Sequence, residues 1–169
     1  GSEALAAALE GARLVAVLTQ AQDPGNAGTI IRAADAAGAD AVVLVRGSVD
    51  PTAPKVVRST AGSLFHLPVV TGVALDDAVT ALHNAGLTVL AADGRGDFDL
   101  FEAESLLEAP SAWLLGNEAH GLPSEALIRA DAVVSIPIYG KAESLNVAAA
   151  AAVCLYASAR AQAQNSGRS

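Results

Sequence analysis

Ile136–Arg160 reads IPIYGKAESLNVAAAAAVCLYASAR: the end of an apolar strand, a polar junction, then an alanine-rich helix. The strand, predicted over Ala132–Ile136, is nearly continuous in apolar residues rather than alternating, as expected of a parallel strand buried on both faces. The helix is predicted over Leu145–Arg160, with Ser144 a natural N-cap. Its free N–H groups form a polar, positively polarised end at which a ligand can bind through main chain. Leu145, Ala149, Ala152 and Tyr156 are its predicted packing face, and Cys154 is read as a packed thiol. The plain alternative is a well-capped core helix.

Upstream, short apolar runs likewise alternate with helix-like segments, without an internal repeat. Leu14–Leu18, Ala41–Val45, Leu87–Ala91 and Ala112–Leu115 read as strands, with Pro68–Val70 a further candidate. Helices are predicted over Ala27–Ala37, Pro54–Ala61, Leu75–Ala85 and Ser124–Arg129. Gly38 and Gly86 stop two of these segments, and Asp93–Pro110 reads as a long loop. This alternation predicts an α/β domain with a mainly parallel sheet flanked by helices. Ligands of such sheets bind outside the carboxyl ends of strands. Asp23–Arg32, Ala92–Gly96, Gly116–Gly121 and Pro137–Asn146 all fall there.

The chain of 169 residues suits one domain with a proper core. At 52% hydrophobic it is not disordered, and with 4% aromatics its core is left to Ala, Val, Leu and Ile. No apolar run reaches the roughly 18 residues that suggest a membrane span. Cys154 is the single cysteine, so no internal disulfide forms and a reducing cytoplasm is expected. Gly1-Ser2 reads as a cloning scar, and Glu3–Gly11 as a short helix within a linker over residues 1–12. Residues 13–161 form the domain and Gln162–Ser169 a flexible tail, with further sequence expected upstream. Ten basic against eighteen acidic residues, a net charge of −8, weigh against a strong grip on phosphates. The positive charge of Arg32, Arg46, Lys55 and Arg58 lies apart from Asp97, Asp99, Glu102, Glu104 and Glu108.

Asp23–Arg32 (DPGNAGTIIR) follows the first strand; Pro24-Gly25 makes a turn and Asn26 can cap the helix. It carries neither a dinucleotide-binding GxGxxG nor the Gly-Lys-Ser/Thr of a P-loop, and an ordinary capped helix with a solvated Arg remains open. Leu114–Pro123 (LLGNEAHGLP) runs from a buried strand into Gly-Asn-Glu. Gly116 permits close backbone approach, while Asn117 and Glu118 offer polar groups at the sheet edge; a simple turn is the alternative. His66, His83 and His120 lack ligand spacing, so no metal site is expected.

These three segments resemble the SpoU (TrmH-type) branch of the SPOUT RNA methyltransferases. They match its N-x-G-x-x-x-R, G-N-E-x-x-G-L and I-P-I-x-G-x-x-x-S-L-N-V motifs in order, over residues 13–160, and Lys55–Pro68 (KVVRSTAGSLFHLP) adds a secondary signature. The resemblance implies a C-terminal deep trefoil knot, a rarity among folds, an obligate homodimer and transfer of methyl from S-adenosylmethionine to a ribose 2′-hydroxyl of ribosomal or transfer RNA, leaving S-adenosylhomocysteine. It implies a cofactor pocket of Ala92, Gly94, Leu115, Gly116, Asn117, Ile136, Ile138, Leu145 and Asn146. The implied catalytic surface is Asn26, Arg32, Glu118, Ser144 and Asn146, with Arg32, Arg46, Lys55 and Arg58 toward RNA.

The sulfonium is already activated, so the reaction chiefly needs alignment and removal of the hydroxyl proton. Arg32 is the family's proposed base, yet an isolated guanidinium stays protonated far above neutral pH. The other reading of Arg32 is an electrostatic clamp on phosphate and developing alkoxide. Larger SpoU enzymes carry an N-terminal RNA-recognition domain, and nothing here resembles one; the chain is expected to bind cofactor but to methylate RNA poorly. A non-catalytic knotted module that binds cofactor or RNA is the competing reading.

Overall fold

Leu14–Leu18, Ala41–Val45 and Ser111–Leu115 are buried at every position, which is why they read as unbroken apolar runs. The computed structural model describes residues 2–20, 23–47, 66–116 and 121–166. In chain order the elements are α1 (Ser2–Leu9), β1 (Leu14–Leu18), α2 (Pro24–Ala36), β2 (Ala41–Val45), β3 (Val69–Val73), α3 (Leu75–Asn84), β4 (Thr88–Ala92), β5 (Phe98–Asp99), α4 (Glu104–Glu108), β6 (Ser111–Leu115), α5 (Ser124–Arg129), β7 (Ala132–Ser135) and α6 (Val147–Ser166). A 3-10 turn spans Leu100–Glu102. The predicted helix Pro54–Ala61 lies outside the described residues.

The strands form one seven-stranded sheet in the order β3-β2-β1-β6-β4-β7-β5, with every neighbouring pair parallel. Strand periodicity sends Leu14, Ala16, Leu18 and Trp113 to one face, against α2 and α6. Val15, Val17, Ala112 and Leu114 face the other way, toward α1, α3 and α5. The result is the α/β three-layer arrangement expected. Gly38 and Gly86 do end α2 and α3, at φ of 81° and 84°, a conformation that costs residues with a Cβ.

Several expectations need correction. Asp93–Pro110 is not a loop throughout: it holds β5, the 3-10 turn and α4. Residues 162–166 are not a flexible tail but the last turns of α6. Gln162 is buried there, and its Nε2 donates to the carbonyls of Arg13 at 2.9 Å and Ala109 at 3.2 Å. α1 is more than a linker, since Leu5 and Leu9 are buried in the core. The packing face of α6 is Ala148, Ala151, Cys154, Leu155 and Ser158, while Leu145, Ala149 and Tyr156 are exposed. Trp113 fixes that rotation, because its Nε1 donates to the buried Ser158 Oγ at 2.8 Å.

One connection bears on the site. β7 comes last among the strands in sequence, yet it sits between β4 and β5, which are joined only by residues 93–97. That connection crosses β7 closely. The Asp93 N–H donates to the Val134 carbonyl at 3.1 Å, and a Cβ on Gly96 would fall 2.5 Å from the Val133 oxygen. Only glycine fits there.

Candidate functional site

The carboxyl ends of β6, β4 and β7, neighbours in the sheet, open onto one cavity of about 260 Å3. Its floor is Ala92 at the end of β4 with Asp93 and Gly94 beyond it, and Gly116 and Gly121 beyond β6. Ile136, Ile138, Glu143, Ser144 and Leu145 from the junction after β7, with Val147 and Ala150 of α6, complete the wall. Larger grooves exist, one of about 960 Å3 between α1 and α3. That groove lies on helices rather than at strand ends, where ligands of parallel sheets gather.

The floor is tightly built. A Cβ on Gly116 would lie 2.6 Å from the Gly121 carbonyl carbon, 2.7 Å from its oxygen and 2.8 Å from the Leu122 nitrogen. The loop leaving β6 therefore returns against its own start. Asp93 joins this pinch to β4. Arg95 Nε donates to Asp93 Oδ1 at 2.7 Å and Arg95 Nη2 to Oδ2 at 2.8 Å. Nη2 also donates to the Leu122 carbonyl at 3.2 Å. Arg95 hydrogen bonds hold the Asp93 carboxyl below the usual carboxylate range, although its burial pushes the other way.

At the head of α6, Asn146 is the cap. Its Oδ1 accepts from the N–H groups of Ala148 at 2.8 Å and Ala149 at 3.3 Å. Ser144, expected in that role, lies two residues earlier and lines the cavity instead. α2 departs from expectation in the same way: Asp23, not Asn26, is its N-cap, accepting from Gly25 at 2.7 Å. Pro24 then takes the first helical position, which a proline suits.

Of the residues singled out from sequence, Ala92, Gly94, Gly116, Ile136, Ile138, Ser144 and Leu145 share the cavity. Leu115 is buried in β6 beneath it, and Asn146 is occupied as a cap. Asn26 is half-buried in the first turn of α2. Arg32 is exposed on α2 and makes no ion pair with any described residue. Arg46 is exposed just past β2. Lys55, Arg58, Asn117 and Glu118 lie outside the described residues. Sequence reasoning named the segments that hold Asp93, Gly121 and Glu143 without singling out these residues, and assigned Val147 and Ala150 no place in the site. Asp93 was findable, standing between Ala92 and Gly94. Ala150 was not, because nothing local separates it from its alanine neighbours. Among the described residues, no group of three or more His, Cys, Asp or Glu could hold a metal ion.

The SpoU rRNA Methylase family matches residues 13–156. The chain belongs to this family. It is 43% identical over 148 residues to the 23S rRNA (guanosine(2553)-2'-O)-methyltransferase RlmP of Bacillus subtilis, covering 86% of this chain and 57% of that protein. It is 41% identical over 142 residues to the 23S rRNA (uridine(2479)-2'-O)-methyltransferase of Streptomyces viridochromogenes, covering 81% of this chain and 49% of the relative. The crystal structure of the SpoU methyltransferase AviRb from the same organism, in complex with the cofactor AdoMet, superposes with a TM-score of 0.81. Identity there is 37%, over 89% of this chain and 60% of that one. The SpoU chain described here thus spans about half to three-fifths of the length of these relatives.

Proposed function

We propose that this SpoU domain transfers a methyl group from S-adenosylmethionine to a ribose 2′-hydroxyl of ribosomal or transfer RNA. The observation that carries the reading is the cavity at the ends of β4, β6 and β7, walled by the same segment whose motif marks the family. Its residues fit the cofactor. Ile136, Ile138, Leu145 and Val147 offer an apolar wall for a planar base, and Gly116 and Gly121 leave main-chain groups bare beside it. Glu143 adds a carboxylate, the sign that suits a sulfonium. When bound, the cofactor supplies a methyl group already activated for displacement.

What remains falls to the chain's own side chains. Arg32, exposed and without an ion-pair partner among the described residues, is available to a phosphate and to a developing alkoxide. Asn26, Ser144, Asn146 and Glu118 are assigned to orienting the ribose. Arg46, Lys55 and Arg58 are assigned to the RNA backbone. The C-terminal knot belongs to this proposal too. Its support is the insertion of β7 between β4 and β5, which makes the chain leaving Ser135 pass the 93–97 connection.

A homodimer is part of the same reading. An apolar groove of about 510 Å3 runs between α6 and the 3-10 turn, with Phe101 56% and Tyr156 51% exposed. A second copy seated there would bury both rings. The cytoplasm, where ribosomal and transfer RNA are processed, is the proposed compartment; no helix among the described residues is long and apolar enough to cross a membrane. The test is methyl transfer from tritiated S-adenosylmethionine to bulk RNA, with Arg32→Ala as control. Label recovered in alkali-resistant dinucleotides, because a 2′-O-methyl blocks base cleavage of the neighbouring phosphodiester, and lost in Arg32→Ala, is the expected result. Cofactor binding without any transfer, by this chain or by a longer form of it, would favour a non-catalytic module.

A further inference from the structure

We propose that the Asp93–Arg95 pair is a positioning device that sets the floor of the cavity, and with it cofactor affinity, by tying the end of β4 to the returning limb of the loop after β6. The inference rests on the cofactor reading above and assigns a task to two residues outside the three family motifs.

The geometry is closed on every side. The Asp93 side chain is 6% exposed and lies against the cavity, whereas Arg95 is 61% exposed. Asp93 Oδ1 accepts from the Arg95 main-chain N–H at 2.9 Å as well as from Nε. Oδ2 accepts from Nη2 and, at 3.5 Å, from the Leu122 N–H. The guanidinium thus holds a carboxylate on one side and the Leu122 carbonyl on the other. Gly121 lies between them, its absent Cβ only 3.3 Å from Asp93 Oδ2. Gly116 packs on Gly121 in turn. Four small or clamped residues, Asp93, Arg95, Gly121 and Gly116, therefore form one stack under the cavity.

An ion pair with one exposed partner adds little to global stability. Its effect here is local, because the carboxylate it neutralises is nearly buried. Without the Arg95 guanidinium, Asp93 Oδ1 keeps the main-chain N–H of residue 95, but Oδ2 keeps only the long Leu122 N–H bond and must turn toward water to be solvated. That turn releases Gly121 and Leu122 and widens the floor. A lysine restores the charge but not the fork that reaches both carboxylate oxygens and the Leu122 carbonyl.

Calorimetric titration with S-adenosylhomocysteine tests this on wild type, Arg95→Ala, Arg95→Lys, Asp93→Asn and the Asp93→Asn/Arg95→Ala double variant. Arg95→Ala should weaken binding on the order of tenfold, with Arg95→Lys between it and wild type. The double variant should lose no more than the worse single one, as coupled partners do. Melting temperatures should stay near wild type, and amide exchange of Leu122 should quicken in Arg95→Ala while that of Trp113 does not. Wild-type affinity in Arg95→Ala overturns the proposal, and so does weakened binding that merely follows a large fall in melting temperature. No binding by wild type overturns the cofactor reading instead; the Leu122 exchange then still decides whether the clamp exists.

Discussion

Gly116→Ala is the sharpest perturbation of the site that the geometry allows. The new methyl would stand 2.6 to 2.8 Å from three backbone atoms of Gly121 and Leu122, well inside the 3.4 Å at which ordinary contact begins. Backbone atoms cannot rotate away as a side chain would, so the loop must shift as a unit. Forcing a methyl into a packed site costs about 1–3 kcal/mol, equivalent here to a fall of roughly 2–12 °C in melting temperature. The movement opens the cavity floor, so cofactor affinity should fall by more than about tenfold. Gly94→Ala is the steric comparison: its methyl meets nothing within 4 Å, and its melting temperature should stay within about 2 °C of wild type. The assay is a thermal melt paired with calorimetric titration of S-adenosylmethionine. Unchanged melting and affinity in Gly116→Ala would refute the pinched floor.

Three further outcomes follow from the packing and titration. Ser158→Ala leaves the Trp113 Nε1–H buried without its 2.8 Å partner and should cost about 1–3 kcal/mol, read from the emission of the single tryptophan during urea unfolding; an unchanged midpoint would deny that bond a stabilising role. Burial pushes the Cys154 thiol up to about 12, so Ellman's reagent at pH 8 should find no reactive thiol in the folded chain and one in denaturant. The Asp93 carboxyl is lowered chiefly by its Arg95 hydrogen bonds, so its contribution is complete above the unfolded value of about 3.9 and is lost as pH falls through the lower folded value. Stability should accordingly decline below about pH 4, and Asp93→Asn should flatten that decline; an equal slope in both proteins would sink the assignment.

The sequence made the sheet legible where burial is two-sided. Leu14–Leu18 and Ala41–Val45 were bounded by unbroken apolar runs, and the structure starts and ends β1 and β2 there. β5 was invisible because it is two residues at a sheet edge, Phe98 and Asp99, with Phe98 facing outward. The rotation of α6 was misread for another reason. Alanine runs of that helix present little apolar contrast from face to face, so Trp113 and its Ser158 partner decide the orientation. Gln162 lengthens the helix by bonding main chain far away in sequence, a tertiary partner that no local pattern announces. At the site, motif residues pointed to strand ends and the cavity lies there. The Asp93–Arg95 clamp stayed hidden because it depends on Leu122, nearly thirty residues downstream in sequence.

Equilibrium binding of S-adenosylmethionine to this chain decides whether the cavity at the ends of β4, β6 and β7 is a cofactor site. One site per chain is expected, competed by S-adenosylhomocysteine, indifferent to NADH and weakened by Gly116→Ala. Absence of measurable binding, or binding that Gly116→Ala leaves untouched, would contradict that role.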